Sequence, residues 1–158
     1  MAGSVKQIPD GYHSVNTYLT VRDGAAAIAF YQQAFGAEVA FRLDGPEGKV
    51  GHAELRLGDS TIMLSDEMPG GSCRSPQALG GTTVTIFLYV PDVDRIFNQA
   101  VAAGAKVVMP VEDMFWGDRF GQVTDPFGHA WGLATHIEDL SPEELQKRAA
   151  AAMAKMGQ

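Results

Sequence analysis

A single cysteine, Cys73, stands among the 158 residues. No disulfide can therefore close within the chain, which points to a reducing, cytoplasmic setting. Cys73 lies in a stretch of Gly, Ser and Pro with no histidine near it, the surroundings of a bystander thiol rather than an activated nucleophile. Long apolar runs are missing too. None approaches the roughly 18 residues of a membrane span, and the opening Met1-Ala2-Gly3-Ser4 has no charged segment leading into an apolar one, so no signal peptide is expected. Positive charge is scarce: 12 Lys and Arg face 19 Asp and Glu, for a formal charge of -7. With no basic run to neutralise phosphates, nucleic acid and anionic membranes are poor partners. What remains is a globular composition, 46% hydrophobic, with enough chain for one domain or for two small modules sharing a core.

Residues 1–12 carry Gly, Pro and Asp without period and read as a flexible lead-in. Residues 13–21 alternate as a strand, and Asp23-Gly24 breaks it and starts a helix over residues 25–35 that stops at Gly36, a residue suited to a left-handed cap. Strands are expected over residues 38–43, 51–57 and 61–66, with Gly-rich turns between them. Residues 67–81, with four glycines and two prolines, read as a connector. The pattern then restarts: a strand at 82–90, a helix at 92–103 ending on Gly104, and strands at 106–109, 120–124 and 130–136. Residues 138–158 close with a helix entered through Ser141-Pro142-Glu143-Glu144, a capping box with proline at the first helical position. Its apolar stripe of Leu145, Ala149, Ala152, Met153 and Met156 is expected to pack on the body or on a partner copy.

The second run weakly copies the first. Leu19, Val21 and Asp23 recur 69 positions later as Leu88, Val90 and Asp92, and Gly36-Ala37 with Val39 recurs 68 positions later as Gly104-Ala105 with Val107. The expected modules are therefore residues 13–66 and 82–137, each a βαβββ unit with a helix on the apolar face of a mixed sheet. The fold class is α+β, two such modules forming a cup-shaped mixed sheet with a partly polar interior, plus a C-terminal helix.

One stretch carries two faces. In Gly51-His52-Ala53-Glu54-Leu55-Arg56-Leu57-Gly58, period two puts Ala53, Leu55 and Leu57 on one side and His52, Glu54 and Arg56 on the other. Extended along the other strands, the same parity gathers Asn16, Tyr18, Thr85, Phe87, Tyr89, Phe120, Gln122 and Thr124 on the interior side. Trp116 and Arg119, in Phe115-Trp116-Gly117-Asp118-Arg119, are placed to cover it, with an indole for stacking and a guanidinium for a carboxylate or phosphate. Asp118 and Arg119 pairing across a turn is the plainer alternative. His129 is expected in a turn, and His13 and His136 in solvent.

The duplicated plan, with Phe30-Tyr31-Gln32-Gln33-Ala34-Phe35-Gly36, His52-Ala53-Glu54-Leu55-Arg56-Leu57-Gly58-Asp59 and Asp125-Pro126-Phe127-Gly128-His129, resembles the vicinal oxygen chelate superfamily of glyoxalases, bleomycin resistance proteins and extradiol dioxygenases, and within it the PhnB-like branch. The resemblance implies a cup-shaped site, a homodimer and often a divalent metal held on the first and fourth strand of each module. Here those positions fall on Asn16, Met63, Thr85 and Gly132. An amide, a thioether, a hydroxyl and a bare backbone do not make a site for a hard or borderline ion. The expectation is a metal-free cavity, with no cofactor, binding an aromatic or amphipathic small molecule through Asn16, Tyr18, Arg56, Met63, Thr85, Phe87, Trp116, Arg119 and Gln122. The alternative is a glyoxalase-like lyase or isomerase in which His52 and Glu54 move a proton on a carbonyl substrate. A metal at off-family positions, such as His52 and Glu54 with one more ligand, is a further alternative.

Overall fold

The computed structural model describes residues 5–156. They divide into two compact units, one holding the chain up to Thr82 together with Pro126–Gly128, the other Thr83–Asp125 together with the chain from His129 onward.

In the first unit the order is β1 (Thr17–Val21), α1 (Gly24–Phe35), β2 (Glu38–Asp44), β3 (Val50–Leu57), β4 (Ser60–Asp66) and a one-turn helix α2 (Pro76–Leu79) inside the Gly/Pro-rich connector. The sheet runs β1-β4-β3-β2, with β1 parallel to β4 and the other pairs antiparallel. Alternation decides which side is covered: Leu19, Val21, Ala53, Leu55, Leu57, Ile62 and Leu64 are all buried. Each such fully buried side chain contributes about 1.5–3 kcal/mol. The helix over this face starts where the Asp23 carboxylate accepts the Ala26 N–H at 2.9 Å. It stops at Gly36, whose φ of 71° is the left-handed cap. Phe30, Tyr31 and Phe35 pack edge-on or stacked with one another, and Phe127 adds its ring 6.1 Å from that of Phe30.

The second unit repeats this plan with β5 (Thr85–Tyr89), α3 (Val93–Ala103), β6 (Lys106–Asp113), β7 (Asp118–Thr124) and β8 (Ala130–His136), in sheet order β5-β8-β7-β6, followed by α4 (Pro142–Met156). The repeat read from sequence is physical. Thr17 faces Ile62 in the first parallel pair and Ile86 faces Trp131 in the second, the same register shifted by 69 residues. At the start of α1 the buried Asp66 accepts the Gly24 N–H at 3.0 Å, and at the equivalent start of α3 the Thr135 hydroxyl accepts the Val93 N–H at 2.8 Å. The fold is thus α+β, two four-stranded mixed sheets each carrying a helix, with an added C-terminal helix.

The structure differs from the sequence reading in several places: β5 starts at Thr85 rather than residue 82, β6 runs on to Asp113 rather than stopping at 109, β7 starts at Asp118 rather than 120, and the connector holds α2. The first strand begins at Thr17 rather than residue 13, because the Asn16 amide closes a turn on His13, accepting its N–H at 3.0 Å and donating to its carbonyl at 2.6 Å. Helix α4 is capped by Ser141 as expected and held by Arg148, which forks onto Glu138 at 2.7 Å and also reaches Glu144. However, no residue of α4 is buried, and Met153 and Met156 stand in solvent, so its stripe does not pack on the body of the unit.

Candidate functional site

On the uncovered face of the first sheet, β3 presents His52 and Glu54 beside Tyr18 of β1 and Met63 of β4, since Tyr18 and Glu54 both register with Met63. His52 is the middle of a polar chain: Nδ1 lies 3.1 Å from the Tyr18 hydroxyl and Nε2 lies 3.3 Å from Glu54 Oε1. A carboxylate only accepts, so Nε2 carries the proton toward Glu54 and Nδ1 accepts the Tyr18 O–H. Tyr12 adds its phenol near Glu54, and burial first, then Glu54, pushes that phenol above its ordinary range. Phe41 and Leu43 of β2 extend the face with half-exposed apolar side chains, the Phe41 ring 6.3 Å from that of His52.

The second unit's uncovered face is aromatic. Phe87 stacks on Phe120 at 5.4 Å with 12° between their planes, and Tyr89 and Trp116 meet them at 5.0 and 5.8 Å. Gly132 makes this stack possible: a Cβ there would sit 2.8 Å from Phe120 and 3.1 Å from Phe87. The polar anchor of this cluster is Asp118, buried at 3% exposure, which accepts from the Tyr89 hydroxyl at 2.9 Å, the Trp116 indole N–H at 3.0 Å and His136 Nδ1 at 2.8 Å. These contacts satisfy a carboxylate that would otherwise be costly to bury. They also raise the Tyr89 phenol, chiefly through its bond to Asp118.

His52, Glu54, Tyr18 and Met63 therefore meet on one face, and Phe87, Trp116, Gln122 and Thr85 lie with the other. Arg56 stays on the face of His52 and Glu54 by strand alternation, exposed near the end of β3 opposite Thr61. Two expected site residues stand elsewhere. Asn16 is occupied by His13. Arg119 points to the helix-bearing side of its sheet, where Asp94 of α3 takes it bidentately at 2.7 and 2.8 Å and Asp113 at 2.9 Å, so it neither covers the aromatic face nor pairs with Asp118. His129 does sit in a turn, where Asp125 accepts its N–H at 2.9 Å and the Trp131 indole at the same distance. Three contributors went unread. Tyr12 lay in a stretch without period, Phe41 on a strand whose every residue is exposed, and the Asp118 anchor depends on contacts 18 and 29 residues away.

His136 is not merely solvated, for Nε2 also lies 2.9 Å from Asp139. Its pKa is raised above the ordinary value near 6.5, first by Asp139 and then by Asp118. A raised value means that the stabilisation is full below the unfolded-state pKa and is lost as pH rises through the folded one. His136→Gln should therefore destabilise the protein more at pH 5.5 than at pH 9 in urea unfolding, and an equal loss at both would refute the ionic role.

The model of the Glyoxalase/Bleomycin resistance protein/Dioxygenase superfamily matches residues 12–133, and the chain belongs to that family. An uncharacterized protein of Mycobacterium bovis is 46% identical over 147 residues, covering 91% of this chain and 94% of that one. Among solved structures, a Pseudomonas aeruginosa protein superposes with a TM-score of 0.65 at 30% identity, covering 80% of this chain and 99% of its own. TioX of Micromonospora sp. ML1 gives 0.62 at 28%, covering 78% and 100%.

The positions that often hold a metal in this family offer few donors here. The first unit offers Asn16, spent on a turn, and the thioether of Met63, while the second offers Thr85 and a glycine whose space is filled by Phe87 and Phe120. Among the described residues no three His, Cys, Asp or Glu side chains converge. These positions do not fit a divalent ion.

Proposed function

We propose that the protein is a metal-independent small-molecule binder of the PhnB-like branch, working as a cytoplasmic homodimer, that takes an aromatic or amphipathic ligand on its uncovered sheet faces. The observation that carries this reading is the Phe87–Phe120 stack over Gly132, with Phe87 and Tyr89 left 47% and 59% exposed. Large aromatic side chains gathered in the open on a scaffolded face are a binding feature rather than a packing one. The Asp118-anchored Trp116 adds a rigid indole edge to that face.

The probe is 8-anilinonaphthalene-1-sulfonate, followed through quenching of Trp116, since Trp131 is fully buried. Phe87→Ala should weaken binding about 3- to 10-fold, the value of one aromatic contact. Unchanged affinity would remove the aromatic face from the site.

The chain Tyr18–His52–Glu54 favours a second reading, a glyoxalase-like lyase or isomerase. There the Tyr18 oxygen would take a proton from a bound carbonyl compound as its own proton passes to His52 Nδ1, and Glu54 would stabilise the imidazolium that forms. Turnover of a carbonyl compound by the parent that is lost in His52→Ala would support this reading, and a parent without turnover would remove it.

A further inference from the structure

The carboxyl ends of β1 and β4 lie side by side, Val21 opposite Asp66, and beyond them the first unit opens a groove of about 530 Å3 lined by Arg22, Lys49, Arg74, Glu67 and the loop from Met68 to Gly71. Its charge runs against that of the whole chain. Three of only 12 Lys and Arg residues line one groove in a protein of formal charge -7.

The cations are held by a scaffold that leaves them donors to spare. Glu67 is shielded, its side chain 19% exposed. It accepts the hydroxyl of fully buried Ser75 at 2.7 Å and Arg74 Nε at 2.9 Å, while Arg22 Nε stands 3.8 Å away. The Ser75 bond first, and Arg74 after it, keep the Glu67 carboxyl below its ordinary range, so it stays an anion and orients both guanidinium groups. Lys49 Nζ rests 3.3 Å from the Arg22 carbonyl and 3.8 Å from Asp66, whose two oxygens already accept the Gly24 and Val50 N–H groups. Among the described residues, the terminal nitrogens of Arg22 and Arg74 donate to no protein group. Three cations outnumber the two carboxylates in reach, and all three are about half exposed. Gly70 and Gly71 leave the facing loop without side chains, so an anion can approach its backbone.

We infer that this groove is a phosphoryl-binding site, taking a dianionic tetrahedral group between Arg22, Lys49 and Arg74. Arginine forks match such oxygens two at a time, a lysine adds a point charge, and three separate cations suit three terminal oxygens better than the two of a carboxylate. The group arrives either as free phosphate or on a small phosphomonoester.

Inorganic phosphate and glycerol 3-phosphate are titrated in turn into 15N-labelled full-length protein at low salt. Expected are saturable shifts of the Gly70 and Gly71 amides, weakened at least about tenfold in Arg22→Gln and in Arg74→Gln, the loss of one charge-assisted bond. Arg22→Gln removes an exposed side chain that no backbone group depends on, so its fold is secure even where Arg74→Gln loosens Glu67. Tighter binding of the ester identifies an organic phosphate as the ligand, and equal binding identifies free phosphate. Shifts that do not saturate, or that persist unchanged in Arg22→Gln, overturn the inference.

Discussion

Asp66→Ala is expected to lower stability by about 4 kcal/mol, a large part of the 5–15 kcal/mol that holds a typical domain. Asp66 is 3% exposed, and each of its oxygens serves a different element: Oδ1 accepts the Gly24 N–H at the start of α1 and Oδ2 the Val50 N–H at the start of β3. Alanine leaves both donors buried without a partner, at about 1–3 kcal/mol apiece. Asp66→Asn keeps one acceptor and turns an amide N–H₂ toward the second donor, so about half the loss should return. Urea unfolding measures both, and an alanine variant within 1 kcal/mol of the parent would show that this carboxylate is not what joins helix to sheet.

The second large effect is expected at Gly117. Its φ of 96° lies where side chains are disfavoured, and a Cβ would overlap the Glu138 carbonyl oxygen. Meanwhile the Gly117 carbonyl accepts both the Ile137 and Glu138 N–H groups at 3.0 Å, so the turn cannot swing away without breaking two bonds. Gly117→Ala should therefore cost about 3 kcal/mol or more, from backbone strain and overlap together. The damage should reach the aromatic face as well. The same turn bonds Met114 N–H to the Asp118 carbonyl at 2.8 Å and sets the neighbouring Trp116 on Asp118. Thermal unfolding should show the lost stability, and weaker quenching of Trp116 by 8-anilinonaphthalene-1-sulfonate should show the displaced indole. An alanine variant with the parent's melting temperature would mean that the turn relaxes freely and that Trp116 is not fixed through it.

Much of the fold was legible because local and long-range signals agreed. Asp23 and Asp92 announced helix starts and cap them, Gly36 and Gly104 announced the stops, and the 69-residue echo is the strand register itself. Period two also put His52 and Glu54 on one face of β3, opposite Ala53, Leu55 and Leu57. Several of the misreadings share a physical origin, contacts remote in sequence. Parity alone puts Arg119 on the side away from Phe120, but the partner that takes it, Asp94, is 25 residues earlier on a helix. Tyr12 and Phe41 were invisible because a phenol near Glu54 and a ring beside His52 leave no periodic trace. The cationic groove was equally silent, for Arg22, Lys49 and Arg74 are gathered only when β1, β3 and the connector are folded together.

The exchange of Asp66 for Thr135 at matching places bears on how the chain came to be. Both copies still supply an oxygen to the first N–H of their helix, although neither residue type nor side-chain length was kept. Inheritance acted there on a task. On the uncovered faces the opposite happened: the copy that carries His52 and Glu54 has Phe120 and Gln122 as its counterparts, and Met63 is answered by Gly132. A doubled gene releases each half from having to do everything, so one descendant sheet could keep acid–base groups while its sibling turned to stacking. Relatives are thus expected to differ most at these outward positions and least in what begins their helices.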